Sequence, residues 1–195
     1  WATFMPKPLY GENGNGMHTH MSLFKGERNS FFNPKDKDHL SRTAKYYIAG
    51  LLRHASEMTL ITNQWVNSYK RLVPGYEAPI YKTWATVSRS DLVRVPAYKP
   101  GKESAVRVEY RSPDPACNPY LAFSVMLASG LEGIENKYKL PTPNELDASS
   151  MTDAELKKAR IGVLPKDLSQ AIEEAEGSQL LRSALGDHVF EKFIE

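Results

Sequence analysis

The chain has 195 residues, of which 41% are hydrophobic and 25% are charged, a balance typical of a globular protein rather than a disordered one. Its 25 basic and 23 acidic residues leave a net charge of only +2, which argues against a nucleic-acid or membrane-surface partner. The single cysteine excludes an internal disulfide, and no long apolar run or secretory signal is present, so we expect a reducing, cytoplasmic compartment and no transmembrane helix.

Two strands are predicted at the start of the chain, over residues 2–5 and 17–24. Side chains alternate along a strand, so His18, His20 and Ser22 share one face, opposite a mostly apolar face. Neutral imidazole is a common metal ligand, which makes this face a candidate metal site. The alternative is a solvated strand face without any ligand.

The loop between these strands is rich in glycine, in the order Gly11-Glu12-Asn13-Gly14-Asn15-Gly16. Glycine permits positive φ angles and a close approach of the backbone to a ligand. The loop has neither a Walker A pattern nor a dinucleotide fingerprint, and it could equally be a plain hairpin turn.

A long helix is predicted over residues 39–62, because apolar residues recur at close to helical spacing. A loop is expected over residues 63–79, with Arg71 near its middle and Glu77 between two prolines. A carboxylate on such a stiffened loop can accept a proton or close over a site, although a solvated loop Glu is the simpler interpretation.

Short strands are predicted next, over residues 80–87, 92–95 and 105–111. In the last of them alternation places Arg107, Glu109 and Arg111 on one face, opposite an apolar face. Arg107 and Arg111, together with Arg71, Arg89 and Arg94, make a set of five arginines near predicted strands and loops. Arginine binds phosphate and carboxylate through two parallel hydrogen bonds, so a focused anion site is indicated, with internal ion pairing as the alternative.

Helices dominate the rest of the sequence. One is predicted over residues 118–137, opening on Asn118-Pro119, and a linker follows over residues 141–152. Short amphipathic helices are expected over residues 153–195, the first introduced by a capping box from Thr152 to Glu155. Strands followed by helices without regular alternation indicate an α+β fold.

Several long motifs, in order over residues 2–137, resemble the glutamine synthetase family. They include Asn67-Ser68-Tyr69-Lys70-Arg71-Leu72-Val73-Pro74-Gly75-Tyr76-Glu77-Ala78-Pro79, Arg111-Ser112-Pro113-Asp114-Pro115 and Asn118-Pro119-Tyr120-Leu121-Ala122-Phe123. The resemblance implies an antiparallel sheet backed by helices, which is part of the family's catalytic half-barrel. It also implies ATP-dependent joining of glutamate and ammonia through a γ-glutamyl phosphate, with Mg²⁺ or Mn²⁺.

The resemblance also implies roles for individual residues. It implies that His18 and Glu109 are metal ligands and that Asn13, Gly14, Arg71 and Arg111 bind glutamate. The residues implied to bind ATP and phosphate are His20, Ser22, Arg89, Arg94 and Arg107. The residues implied to be catalytic are Glu77, Arg89 and Arg71. Glu77 is expected to shield the intermediate and to help deprotonate ammonium.

The domain organisation expected from the resemblance is partial. Residues 1–137 match the active-site portion and residues 138–195 a C-terminal helical tail, while the family's N-terminal β-grasp domain is not represented. The family forms stacked rings of subunits, which predicts a large homo-oligomer for the complete enzyme and inactivity for the isolated fragment. A γ-glutamyl-amine ligase, a non-catalytic homologue and a nucleic-acid-binding module are the alternatives, and the low net charge disfavours the last.

Overall fold

A computed structural model describes residues 2–86, 90–144 and 148–195. The strands are β1 (Thr19–Met21), β2 (Phe24–Lys25), β3 (Arg28–Asn29), β4 (Tyr81–Ala85), β5 (Asp91–Arg94) and β6 (Val108–Tyr110). The helices are α1 (Arg42–Arg53), α2 (Ala55–Thr62), α3 (Val66–Arg71), α4 (Pro119–Glu135), α5 (Asp153–Ala159), α6 (Leu168–Glu176), α7 (Gln179–Leu185) and α8 (Asp187–Ile194), with 3₁₀ turns at Glu103–Ala105 and Ala148–Ser150.

A sheet in the order β1-β6-β5-β4 forms the centre of the fold. The β1–β6 and β6–β5 pairs are antiparallel, whereas β5 and β4 pair in parallel. Helices α1 and α4 pack against each other behind this sheet. The α+β class with a helix-backed sheet is therefore confirmed, with one parallel pair in a sheet expected to be antiparallel.

The core lies between the sheet and the helices because each element has one apolar face. On β6, Val108 and Tyr110 are fully buried, and they meet Ile48 and Leu51 of α1 and Met126 of α4 in one continuous cluster. Within the described residues, no helix is both long and apolar enough to cross a membrane.

Helix α4 agrees most closely with its prediction. The Asn118 side chain accepts hydrogen bonds from the backbone N–H groups of Tyr120 and Leu121, and Pro119 occupies the first helical position. The capping box is also confirmed, since Thr152 and Glu155 exchange side-chain-to-backbone hydrogen bonds at the start of α5.

Other predicted elements need correction. Residues 2–5 are not a strand, because their backbone pairs with no strand of the described chain. The helix predicted over residues 39–62 starts at Arg42 and is interrupted at His54, whose ψ of 7° separates α1 from α2. The segment over residues 63–79, predicted to be a loop, contains the two-turn helix α3.

Of the remaining predicted strands, the one over residues 92–95 is observed as β5, displaced by one residue, and the others are shorter than predicted. The segment 17–24 reduces to β1 and the first residue of β2, and the segment 105–111 reduces to β6. Strand β4 ends at Ala85, and Val87 lies outside the described residues.

Candidate active site

Three neighbouring strands present polar side chains to the exposed face of the sheet. Glu109 on β6 is the Cα partner of His20 on β1 and of Arg94 on β5, so the three side chains form a row across the sheet. Arg107 and Arg111 lie two residues on either side of Glu109 and share its face.

Glu109 is the centre of this row. It is 3% exposed, its Oε2 accepts a hydrogen bond of 2.9 Å from Arg94, and its Oε1 accepts one of 2.6 Å from Arg111. Burial alone would raise the pKa of the Glu109 carboxyl, but Arg94 and Arg111 outweigh burial and lower it. The carboxylate is therefore ionised at neutral pH.

Both histidines of the β1 face stay neutral. The Nδ1 atom of His18 lies 3.1 Å from the Oε1 atom of Glu109 and 3.3 Å from the Nη1 atom of Arg111. Burial, reinforced by Arg111, lowers the pKa of His18 to about 4, so its imidazole is neutral at pH 7. The Arg107 guanidinium donates to the Nδ1 atom of His20 at 3.1 Å, and burial also lowers the pKa of His20.

A small cleft, which we call the glycine-loop cleft, opens beside His18 and has a volume of about 130 Å³. It is lined by Asn13, Gly14, Gly16, His18, Arg71, Tyr76, Glu77, Ala78 and Arg111. The expected glutamate-binding residues, the expected His ligand and the expected flap carboxylate thus meet around one cavity.

The chain that leads into the glycine-rich loop is fixed to α3 at Lys7. The Asn67 side chain accepts from the Lys7 backbone N–H at 2.7 Å and donates to the Lys7 carbonyl at 3.1 Å. A Cβ atom on Gly14 would lie 2.3 Å from the Pro6 carbonyl oxygen, and one on Gly16 would lie 2.7 Å from the Arg71 guanidinium. A side chain on Gly14 would therefore collide with the Pro6 backbone, and one on Gly16 would displace the Arg71 guanidinium, over which the loop passes.

The segment that carries Glu77 closes the other side of the glycine-loop cleft. The Ala78 backbone N–H donates to the Tyr76 carbonyl, which places the exposed Glu77 at the centre of a three-residue turn. The Lys7 ammonium lies 3.6 Å from the centre of the Tyr76 ring, so a cation–π contact joins this segment to the glycine loop.

A second cleft, which we call the basic cleft, has a volume of about 390 Å³ and lies beyond β5. Four cationic side chains and one aromatic ring dominate its lining, namely Arg94, Lys99, Lys102, Arg107 and Tyr98. Arg94 of the basic cleft and Arg111 of the glycine-loop cleft both bind Glu109, so this carboxylate contacts lining residues of both clefts.

Metal ligands are sparse around Glu109. Across residues 2–86, 90–144 and 148–195, no group of three or more His, Cys, Asp or Glu side chains is arranged to hold a metal ion. The neutral imidazole of His18 and the ionised carboxylate of Glu109 fit a divalent cation as two of its ligands. Any such cation would compete with Arg94 and Arg111 for the carboxylate oxygens.

One of the expected residues lies apart from this arrangement, and another falls outside the described residues. Ser22 lines neither cleft and faces a third cavity, which it shares with His20 and with Phe123 and Leu127 of α4. Arg89 lies outside the described residues.

Sequence reasoning missed Lys99 and Lys102, which contribute to the basic cleft. The signal that could have identified them is the Lys99-Pro100-Gly101-Lys102 turn directly after β5. It also missed Tyr76, whose ring links the glycine loop to the Glu77 segment.

Comparison with known proteins identifies relatives along the full chain. Residues 1–195 match the family model described as glutamine synthetase, catalytic domain. The chain is 51% identical to the glutamine synthetase of Thermotoga maritima over 194 residues, covering 100% of this chain and 44% of that protein. It is 52% identical to the glutamine synthetase of Mycolicibacterium smegmatis, covering 99% of this chain and 43% of that protein.

Among solved structures, one titled "GmaS/ADP complex-Conformation 1" superimposes with a TM-score of 0.85 at 35% identity, covering 98% of this chain and 43% of that one. The chain spans less than half the length of the curated relatives that it matches.

Proposed function

The chain belongs to the glutamine synthetase family, and on that premise we propose that it is part of an ATP-dependent ligase joining ammonia to the side-chain carboxylate of glutamate. One observation carries the proposal. A single buried carboxylate, Glu109, contacts Arg94 of the larger basic cleft and Arg111 and His18 of the smaller glycine-loop cleft. Two cation-lined clefts of different size, linked in this way, suit a reaction between one small and one large anionic substrate.

We assign the glycine-loop cleft to glutamate. Its size suits an amino acid, and Arg71 and Arg111 supply positive charge for the carboxylates. Asn13 and Gly14 also line this cleft, and their polar backbone and amide groups can bind the substrate's amino group.

We assign the basic cleft to ATP. Arg94 and Arg107 lie at its inner end, next to Glu109 and His20, and would bind the phosphates together with Arg89. Tyr98, Lys99 and Lys102 form its outer part. The related structure at 35% identity is titled as an ADP complex, which supports a nucleotide at this fold.

His18 and Glu109 are the residues that would hold Mg²⁺ or Mn²⁺. A divalent cation there supplies charge neutralisation for the phosphoryl group that passes from ATP to glutamate. A carboxylate has a poor leaving group and does not react with ammonia, whereas an acyl phosphate does. Arg71 and Arg111 would orient the glutamate carboxylate that accepts the phosphoryl group. Arg94 and Arg107 would stabilise the negative charge that develops on the phosphoryl group during transfer.

Glu77 would act after phosphoryl transfer. Its segment lines the glycine-loop cleft and would close over it to exclude water from the acyl phosphate, while its carboxylate would accept a proton from ammonium.

The remaining expectations are part of the same proposal. Residues 1–137 would form the active-site portion, residues 138–195 a helical tail, and the complete enzyme a cytoplasmic homo-oligomer of stacked rings. A γ-glutamyl-amine ligase of the same fold is the main alternative. The higher identity to glutamine synthetases, 51% against 35% for the GmaS structure, favours ammonia as the acceptor.

The test uses the full-length protein that contains these residues. We expect glutamine and inorganic phosphate to form in equal amounts from ATP, glutamate and ammonium with Mg²⁺. His18→Ala and Glu109→Ala should each abolish turnover and weaken binding of Mn²⁺ measured by its paramagnetic resonance. Product with methylamine but not with ammonium would identify an amine ligase, and no phosphate release with any acceptor would identify a non-catalytic homologue.

A further inference from the structure

A buried amide lies behind the two arginines of the glycine-loop cleft. Asn63 directly follows α2 and is 0% exposed, at the point where α2 meets the segment that leaves β6. Thr62, Ser112 and Asp114, which surround it, are also 0% exposed. None of these residues lines the cleft itself.

Every hydrogen-bonding position of the Asn63 side chain is used. Its Nδ2 atom donates to the Ser112 carbonyl and to the Oδ2 atom of Asp114, each at 2.9 Å. Its Oδ1 atom accepts from the Ser112 hydroxyl at 2.9 Å and lies 2.8 Å from the Thr62 hydroxyl, whose single proton can go either to this oxygen or to the Met58 carbonyl at 3.1 Å. The Ser112 hydroxyl and the two oxygen acceptors fix which way the amide points.

The same Ser112 carbonyl also holds Arg71. The Nη1 atom of Arg71 donates to it at 2.6 Å, and its Nη2 atom donates to the Arg111 carbonyl at 3.1 Å. The position of the Arg71 guanidinium is thus set by the backbone carbonyls of residues 111–112. Asn63 fixes that backbone through its own hydrogen bond to the Ser112 carbonyl. The Arg111 side chain starts from the same backbone.

We infer that Asn63 is a positioning residue for Arg71 and Arg111, and hence for the carboxylates of glutamate. This inference rests on the proposed function of the glycine-loop cleft. Removing the amide would leave the Asp114 carboxylate buried without its side-chain donor and free the Ser112 carbonyl to move. The guanidinium groups would then shift relative to the cleft, while the basic cleft on the other side of Glu109 would be little affected.

The test compares Asn63→Ala and Asn63→Asp with the control Thr59→Ala in the full-length enzyme. Thr59 is 0% exposed, lies one turn earlier on α2, and its hydroxyl, as far as the described residues show, bonds only to the Ala55 carbonyl of its own helix. We expect the KM for glutamate to rise about tenfold or more in both Asn63 variants, equivalent to the loss of one charge-assisted hydrogen bond. The KM for ATP should change by less than about twofold.

Asn63→Asp is the sharper variant, because it keeps the shape of the side chain but places a carboxylate next to Asp114. Thr59→Ala should lower Tm without changing the KM for glutamate. Asn63 variants that lose Tm like the control and keep the parent's KM would overturn the inference.

A readout without turnover separates this inference from the proposed function. In crystal structures of the parent and Asn63→Ala, we expect the Arg71 or Arg111 guanidinium to move by about 1 Å or more, the displacement that disables a precisely oriented site. Unmoved guanidinium groups would overturn the inference whether or not the enzyme uses glutamate. Moved guanidinium groups in a protein without glutamate-dependent turnover would support the inference and reject the proposed function.

Discussion

Glu109 pairs with two arginines and also lies beside the imidazole of His18. It is an acceptor for Arg94 and Arg111, which neutralise it, and it lies 3.1 Å from the neutral imidazole of His18. A carboxylate buried to this degree would be costly without such partners. Its pairing with arginines from both clefts links the positions of their cationic groups.

Glu77 differs from Glu109 because it is exposed and has no role in packing the core. We therefore predict that Glu77→Gln folds with an unchanged Tm and still binds ATP and glutamate. Glutamine formation by the full-length enzyme should fall about a hundredfold or more, the usual contribution of a general base, with ATP hydrolysis relatively spared. Glutamine and phosphate are measured in the same reaction.

The control for Glu77 is Glu12→Gln, an exposed carboxylate on the glycine loop that does not line the cleft. It should retain activity. Equal loss of nucleotide binding and of chemistry in Glu77→Gln would show that the residue is structural.

At the scale of elements, the contact between α1 and α4 depends on glycine. A Cβ atom on Gly133 of α4 would lie 2.3 Å from the Tyr46 carbonyl oxygen and 2.7 Å from the backbone of Gly50. We predict that Gly133→Ala destabilises the protein by about 1–3 kcal/mol, because two helix backbones would have to separate. Unfolding in urea measures the change.

Gly177 provides the matched control, since a Cβ atom there would meet nothing within 4 Å. Its φ of −80° suits alanine, so Gly177→Ala should be neutral or stabilise by up to about 1 kcal/mol. Similar destabilisation by the two substitutions would contradict the close-packing account.

A polar cluster joins α2 to the start of α7. The Oε1 atom of Glu57 lies 3.0 Å from the Nδ1 atom of His54, its Oε2 atom accepts from the Ser178 hydroxyl, and Lys82 lies nearby. Burial raises the pKa of the Glu57 carboxyl, but the hydrogen bonds from His54 and Ser178 outweigh burial and lower it below the ordinary value of 4.5.

A carboxyl whose pKa is lower in the folded than in the unfolded protein stabilises the fold at pH values above its unfolded-state pKa. This stabilisation is lost as the pH falls through its folded-state pKa. We predict that Glu57→Gln lowers the free energy of unfolding by about 1–2 kcal/mol at pH 7, as expected for hydrogen bonds to a charged group. The difference should shrink below about pH 4.5. Glu173→Gln, on an exposed position of α6, should show no such pH dependence.

The elements that the sequence predicted well carry their own local signals. Alternation along β1 and β6 correctly grouped His18 with His20 and Arg107 with Glu109 and Arg111, and Asn118-Pro119 marked the start of α4. The break at His54 was missed because apolar spacing continues through it on both sides. Helix α3 was missed because six residues are too few to show a period.

Long-range partners could not be predicted in the same way. Glu109 binds Arg111, two residues away, and Arg94, which lies on the neighbouring strand. The contact with Arg94 depends on the register between β5 and β6, which the sequence does not reveal. The Asn63 amide carried no signal at all, because its partners at Ser112 and Asp114 are 49 and 51 residues away. Periodicity identifies which face a residue occupies but not what lies opposite.

At the scale of the whole molecule, helix α4 carries an exposed apolar stripe. On α4, Tyr120, Phe123, Leu127 and Leu131 are between 39% and 82% exposed and follow one another at helical spacing. Strand β1, next to this helix, is an edge of the central sheet. Exposed edges and apolar stripes of this kind are typical of association sites.

We predict that the isolated 195-residue chain makes no glutamine, even with saturating ATP, glutamate, ammonium and Mg²⁺. The reason is the ligand set: within the described residues no group of three or more His, Cys, Asp or Glu side chains is arranged to hold a metal ion, and His18 and Glu109 supply only two ligands, whereas Mg²⁺ requires a near-octahedral shell rich in oxygen. The measurement is glutamine formation by the purified chain, alone and mixed with a separately expressed fragment that supplies the rest of the length found in its curated relatives. Activity that appears only in the mixture would agree with a site completed by the second fragment, and Glu109→Ala in the mixture should abolish it. Steady glutamine production by the chain alone would show that its metal site lies elsewhere than at His18 and Glu109.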